Sequence, residues 1–216
     1  MTTDNILLAL LLISVILAMP ANRLMELVKI MAFQGVVVSL VPLFIAGGHK
    51  LEPASVGFVA LMLLIKGFVM PMALYVAVKK VARLREVEPI VGYQASVFIG
   101  LFIMLGAVFI SHRLTAFMPL KSDMMVSTAV AVIGAGFFLM MARRKAITQV
   151  IGYLMLENGI YLIGTALTHE AHSQYILEFG VLLDILAGVM IMGIILHRIS
   201  RTFDDVDTGM LGSLKD

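Results

Sequence analysis

Long apolar runs, separated by short polar or basic links, make up most of the chain. Seven runs stand out, at residues 5–21, 28–47, 55–78, 92–111, 125–142, 147–167 and 176–196. A transmembrane helix needs about 20 mostly apolar residues, so the pattern predicts an all-α, polytopic membrane protein with seven spans. The first run has the look of a secretion signal. However, Asp4 and no basic residue precede it, and Pro20-Ala21-Asn22 makes a poor cleavage site, so it reads as a retained helix. Pro42 and Pro71 fall inside the second and third runs. Membrane helices accept proline where neighbours satisfy the freed carbonyl, and kinks are expected there.

Composition agrees with the pattern and narrows the function. Hydrophobic residues make up 61% of the 216 and charged residues 14%, against about 45–50% and about 25% in soluble domains. Mean hydropathy is +1.03. A soluble fold could not hide so much apolar surface, which excludes a soluble enzyme, a nucleic-acid binder and a disordered linker. The chain has no cysteine, so it cannot itself supply thiolates to zinc or to an iron–sulfur cluster. The links are short and leave no room for an extramembrane domain, as expected of one subunit of an assembly or of a small transporter. The reading divides the chain into a three-helix part (1–91), a two-helix part (92–142), helices six and seven (143–196) and a tail (197–216).

The net charge of +2 says little, but the placement of the basic residues says more. Arg23, Lys29, Lys79, Lys80, Arg83, Arg85, Arg143, Arg144, Lys145, Arg198, Arg201 and Lys215 share one side of the predicted topology, while Lys50, Arg113 and Lys121 share the other. Lys and Arg are enriched in cytoplasmic links. The N-terminus is therefore expected outside and the tail in the cytoplasm of a bacterial or archaeal cell.

Lys66, Glu157 and Asp184 lie deep within spans. Each costs roughly 2.5–3.5 kcal/mol at a helix centre, and such residues usually face the bundle interior and mark ion paths. Lys66 is too far from either end of its span for its side chain to reach bulk water. Pro71, five positions on, frees the carbonyl of residue 67 beside it. Asp184 lies between Gly180 and Gly188, one turn away on the same face, where small residues let a neighbouring helix approach. Glu157 shares a face with Tyr153 and Tyr161 and has Asn158 next to it; Gln34 in the second span is a fainter polar residue. The alternative is a static salt bridge that only fixes packing. His169-Glu170-Ala171-His172 lacks metalloprotease spacing and a third ligand, and reads as a solvated loop. The 17 methionines suit packing and lipid-facing positions. A weak internal repeat relates Phe33-Gln34-Gly35 to Glu157-Asn158-Gly159, each followed by a span with one central charge.

The C-terminal third resembles a known family. Arg144-Lys145, the run Gly152-Tyr153-Leu154-Met155-Leu156-Glu157-Asn158-Gly159, Asp184 with Gly188, and Leu196-His197-Arg198 resemble the K-type membrane subunit of respiratory complex I. They equally resemble the C subunit of multisubunit sodium/proton antiporters. In that resemblance Asp184 falls on the membrane glutamate of the family's last helix. The family's other membrane glutamate falls on Leu154, and Glu157, one turn later, is the candidate to replace it. The complex I subunit has three helices and matches only the last three here. With Ile65-Lys66-Gly67-Phe68-Val69-Met70-Pro71 in its first half, and Asp205-Val206-Asp207 and Gly212-Ser213-Leu214-Lys215 in its tail, most of the chain is similar to the hydrogenase-4 component E family.

That resemblance implies a membrane subunit of group 4 nickel–iron hydrogenase or formate hydrogenlyase-type complexes. The nickel–iron site and iron–sulfur clusters would lie on partner subunits, and this chain would hold no cofactor or metal and no catalytic residue of its own. It would join a quinone-chamber-like subunit to antiporter-like subunits. Lys66, Glu157 and Asp184, supported by Tyr153, Asn158, Tyr161 and Gln34, would carry part of a proton or sodium path. The alternatives are a purely structural membrane anchor, a subunit of a cation/proton antiporter, and a small transporter that works alone.

Overall fold

A computed structural model describes residues 3–45, 53–80, 90–117, 122–167, 180 and 182–194. These residues form an all-helical bundle. α1 spans Thr3–Ala18 and α2 spans Leu24–Ile45. α3 runs through Pro53–Leu64, a π-helical turn at Ile65–Val69, and Met70–Lys80. α4 is Tyr93–Phe117, α5 Asp123–Ala142 and α6 Ala146–Leu167. α7 is described over Leu182–Ile194. Among the described residues, five helices are long and apolar enough to cross a membrane, and these are α2 to α6. The first and last predicted runs give shorter apolar helices, Thr3–Ala18 and Leu182–Ile194. Pro20 sits in the turn that ends α1, because proline cannot continue the backbone hydrogen-bond ladder. His169-Glu170-Ala171-His172, Lys50, Arg83, Arg85, Lys121 and the tail 197–216 lie outside the described residues.

The two intraspan prolines behave differently. α2 continues through Pro42. In α3 the chain takes a π turn just before Pro71: Met70 N–H bonds the Ile65 carbonyl, five residues back. Pro71, next along, has no N–H to offer the Lys66 carbonyl in the same pattern. Gly35 of α2 is pressed against that carbonyl, for a Cβ at Gly35 would clash with Lys66 O. Only a glycine lets α2 sit this close to the π turn.

α5 and α6 form the most extensive helix pair. Their contact is a glycine seam: a Cβ at Gly136 would meet Gly152 O at 2.6 Å, and one at Gly152 would meet Gly136 O at 2.9 Å. α2 occupies the middle and packs on α1, α3 and α6. Apolar side chains fill two cores. One, near the α5–α6 link, includes Met19, Leu24, Leu74, Leu139, Ile147 and Leu154. The other, toward the opposite end, includes Leu8, Val38, Met62, Met125 and Leu162.

The basic links meet at one end. Arg143 Nη2 donates to Met19 O at 2.8 Å, just past the end of α1. The same guanidinium lies 5.4 Å from the centre of the Tyr93 ring at the start of α4, and Ile90 N–H bonds Ala142 O at 2.8 Å. The α1–α2 link, the approach to α4 and the α5–α6 link are thus neighbours, as alternating up-and-down helices require. At the opposite end, Ser111 of α4 donates to Asp123 O of α5 at 3.4 Å.

Candidate functional site

Three ionisable side chains predicted to lie mid-span meet in one place. Lys66 Nζ donates to Glu157 Oε1 of α6 and to Asp184 Oδ1 of α7 at 3.2 Å. Lys66 is 2% exposed, Glu157 1% and Asp184 2%. Residues 66, 157 and 184 come from three helices, far apart in sequence, so their meeting is a product of the fold. The cluster lies between the two apolar cores: Met62, one turn before Lys66, belongs to one, and Met70, one turn after, to the other.

Local structure explains how each group is presented. Lys66 sits within the π turn, where the helix surface differs from that of a regular helix; such turns recur at functional sites. Asp184 is held by a matched face. Gly180 lies beside Met62 and Gly188 beside Met70, so Met62, Lys66 and Met70 on α3 oppose Gly180, Asp184 and Gly188 in order. The two helices therefore run parallel, and the neighbour that the glycines of α7 were expected to admit is α3. Glu157 stands on the helix clamped by the glycine seam. Leu154, where the family resemblance places a glutamate, is buried in the apolar core one turn earlier.

The supporting residues divide. Asn158 is fully buried, and its Nδ2 approaches Met31 Sδ of α2 at 3.9 Å. The Tyr153 phenol oxygen is buried and has no hydrogen-bond partner among the described residues. Tyr161 turns away into the core toward Phe58, with ring centres 6.3 Å apart. Gln34 faces α1: its Nε2 donates to Ser14 Oγ at 2.8 Å, and Ser14 Oγ donates to Leu11 O at 2.6 Å. The resemblance between the two helix pairs is not repeated in their packing. Gly35 abuts the lysine helix, whereas Gly159 abuts α5 at Ala129 and Ile133.

Second oxygens are left over. Glu157 Oε2, Asp184 Oδ2, Asn158 Oδ1 and Gln34 Oε1 are buried and have no hydrogen-bond partner among the described residues. Among those residues, no group of three or more His, Cys, Asp or Glu is placed to hold a metal ion.

Two residues escaped the sequence reading. Ser14 was invisible because a serine in an apolar run is unremarkable until its partner, Gln34, is known. The sequence places Arg143 only with the basic residues of one side, but it is 1% exposed and reaches Met19 and Tyr93 from the α5–α6 link. Tyr93, its cation–π partner in space, lies far from it in the chain, so no local signal pointed to the pairing.

Fold and site together define a polytopic membrane protein with an ionic cluster inside its helix bundle. The chain is 31% identical over 194 residues to the uncharacterized protein Rv0085 of Mycobacterium tuberculosis, across 89% of this chain and 87% of that protein, and it belongs to that protein's family. It is also 28% identical over 103 residues to hydrogenase-4 component E of Escherichia coli, a match that spans 45% of each chain. The component E of Shigella flexneri matches to the same extent. No family model matches the chain, and no solved structure matches it.

Proposed function

We propose that this protein is a membrane-arm subunit of a hydrogenase-4 or formate hydrogenlyase-type complex related to complex I. In this reading Lys66, Glu157 and Asp184 form part of a proton or sodium path driven by redox chemistry elsewhere in the complex. The observation that carries the reading is the meeting of one lysine and two acids from α3, α6 and α7 in the interior of the bundle. Buried charges inside a membrane are costly and are usually retained for ion movement. The partial similarity to hydrogenase-4 component E supports the choice of complex. Antiporter-like and quinone-chamber-like subunits are its partners, and nickel, iron and sulfur belong to those other chains. Seven spans place the N-terminus outside the inner membrane and the tail in the cytoplasm. Reporter fusions within 79–91, 143–146 and 197–216 should read as cytoplasmic, and an N-terminus inside would overturn the seven-span topology.

The direct contact of Lys66 with both acids also favours a second reading, in which the cluster is a static anchor that locks α3, α6 and α7. Two measurements on each variant separate the readings: the amount of assembled complex and the ions moved per turnover. Asp184→Asn keeps shape and hydrogen bonding but removes the titratable group. A path residue loses ion movement with normal assembly. Lys66→Arg is the sharper case. Arginine keeps the charge but does not release its proton, so a relay through the lysine itself fails with arginine and an anchor works. Normal ion movement in an assembled Lys66→Arg complex would take Lys66 out of the path as a proton carrier, and normal ion movement in an assembled Asp184→Asn complex would overturn the path.

A further inference from the structure

The described cluster holds one ammonium and two carboxyl groups, all within about the same depth of the bundle. If both acids are ionised, the cluster carries one net negative charge in a place that is nearly closed to solvent. Among the described residues no second cation faces it. From α3 the facing group is Lys66, from α6 Glu157 with Asn158 and Tyr153, from α7 Asp184, and from α2 Gln34 reaches toward α1. Arg143 is at the link end with Met19 and Tyr93. A buried, uncompensated charge is far more costly than a neutral group, and a carboxyl in that position takes up a proton instead.

The leftover oxygens give the same answer by a separate route. Glu157 Oε2, Asp184 Oδ2 and Asn158 Oδ1 are buried acceptors with no donor among the described residues. Buried polar atoms are almost always satisfied. Each added proton turns one acceptor into a donor and serves a second acceptor as well. Among the described residues the Tyr153 O–H, one turn from Glu157 on α6, is likewise unpartnered, and one hydrogen cannot satisfy three acceptors.

We propose that Glu157 and Asp184 together bind one exchangeable proton, shared across Lys66, so that the resting cluster is electrically neutral. This deepens the path reading and rests on it. Lys66 stays an ammonium and bonds one oxygen of each acid, while the proton sits on either second oxygen. Release of that proton to the next group leaves two carboxylates on one ammonium, and the resulting net negative charge draws the next proton in. Neither step needs an oxidant or a reductant. Acids that interact this strongly titrate as a unit.

The test uses the assembled complex, purified with its natural partners, and infrared difference spectra of wild type against variants in ordinary and heavy water. The wild type should show a protonated-carboxyl band that shifts in heavy water. Glu157→Gln and Asp184→Asn should each lose it, because the single remaining acid is balanced by Lys66. Lys66→Met leaves both acids untouched and should strengthen the band, as both then take up a proton. No such band in the wild type overturns the proposal, as does an unchanged band in Lys66→Met. A band kept by either acid variant assigns the proton to one residue and also overturns sharing. Ion movement on the same samples tests the path reading separately. If the band is absent but Asp184→Asn still abolishes ion movement, the path stands and the shared proton falls. If the band behaves as expected but both acid variants move ions normally, the path falls.

Discussion

The α5–α6 pair and the α3 helix are built on opposite terms, and the ionic cluster joins them. In α5 and α6, 56% and 67% of an 18-residue apolar stretch is buried inside the bundle, against 28% in α3. Backbone meets backbone across Gly136 and Gly152, so Glu157 stands on one helix of the most extensive helix pair. Lys66 stands on a helix that interrupts its own ladder with a π turn and carries Leu61, Leu64, Phe68 and Met72 on an exposed outer face. One partner of the ion pair stands on a seam where backbone meets backbone, whereas the other stands on a helix packed through side chains, Met62, Met70 and Leu74, and through Gly35. A bundle made only of glycine seams would hold charges in place, but it would have no element able to change its grip on them.

Variants can break or sharpen this contrast, and the largest effect is expected at the junction. Glu157→Ala removes an acid from the closed site without supplying a polar substitute. Lys66 keeps Asp184 as a partner, so the loss is the hydrogen bond to a charged group, about 1.5–3 kcal/mol, added to the unfilled space left by the truncated side chain, and assembled protein should fall sharply in a detergent thermal-unfolding assay. Glu157→Gln should retain most of it.

The next effect is at the seam. Gly136→Ala puts a methyl 2.6 Å from Gly152 O and Leu156 N, both backbone atoms that cannot swing aside. Overpacking of this kind costs about 1–3 kcal/mol, and the loss should appear in thermal stability without a selective loss of ion movement. Gly35→Ala is the matched variant on the other side, with its methyl against the Lys66 carbonyl. It should cost a similar about 1–3 kcal/mol but lower ion movement out of proportion to stability, because it displaces the π turn. Equal effects of the two glycine variants on ion movement would erase the contrast.

Arg143→Lys should cost about 1.5–3 kcal/mol, the worth of a hydrogen bond to a charged group. Lysine lacks the planar fork that reaches Met19 O while stacking on Tyr93. The smallest effect belongs to Phe102→Ala on the outer face of α4, where the ring is 72% exposed. In detergent it should stay within about 0.5 kcal/mol.

The helices and the three mid-span charges were legible because both depend on local facts. An apolar run declares its length, and a charge inside one stands out wherever its partner lies. Pro71 likewise announced a disturbed ladder near Lys66, although its form, a π turn, depends on how α2 packs against it. What could not be read was pairing at a distance. Nothing near Arg143 in the chain shows that Met19 and Tyr93 will close over it, and counting basic residues by side treats every arginine as solvated. Ser14 and Gln34 find each other only because α1 and α2 are antiparallel neighbours. The weak likeness between two helix pairs was visible in the residues but had no counterpart in packing, since equivalent glycines meet unlike partners.

The parallel faces of α3 and α7 work as a rack with a single charged tooth. Met62, Lys66 and Met70 step along one helix at the same interval as Gly180, Asp184 and Gly188 along the other. A slide of one turn, about 5.4 Å, would set the lysine opposite a glycine in either direction and leave it with Glu157 alone. A full-turn slip between these helices therefore changes the charge contact by a whole partner: the lysine has two acids in register and one out of register.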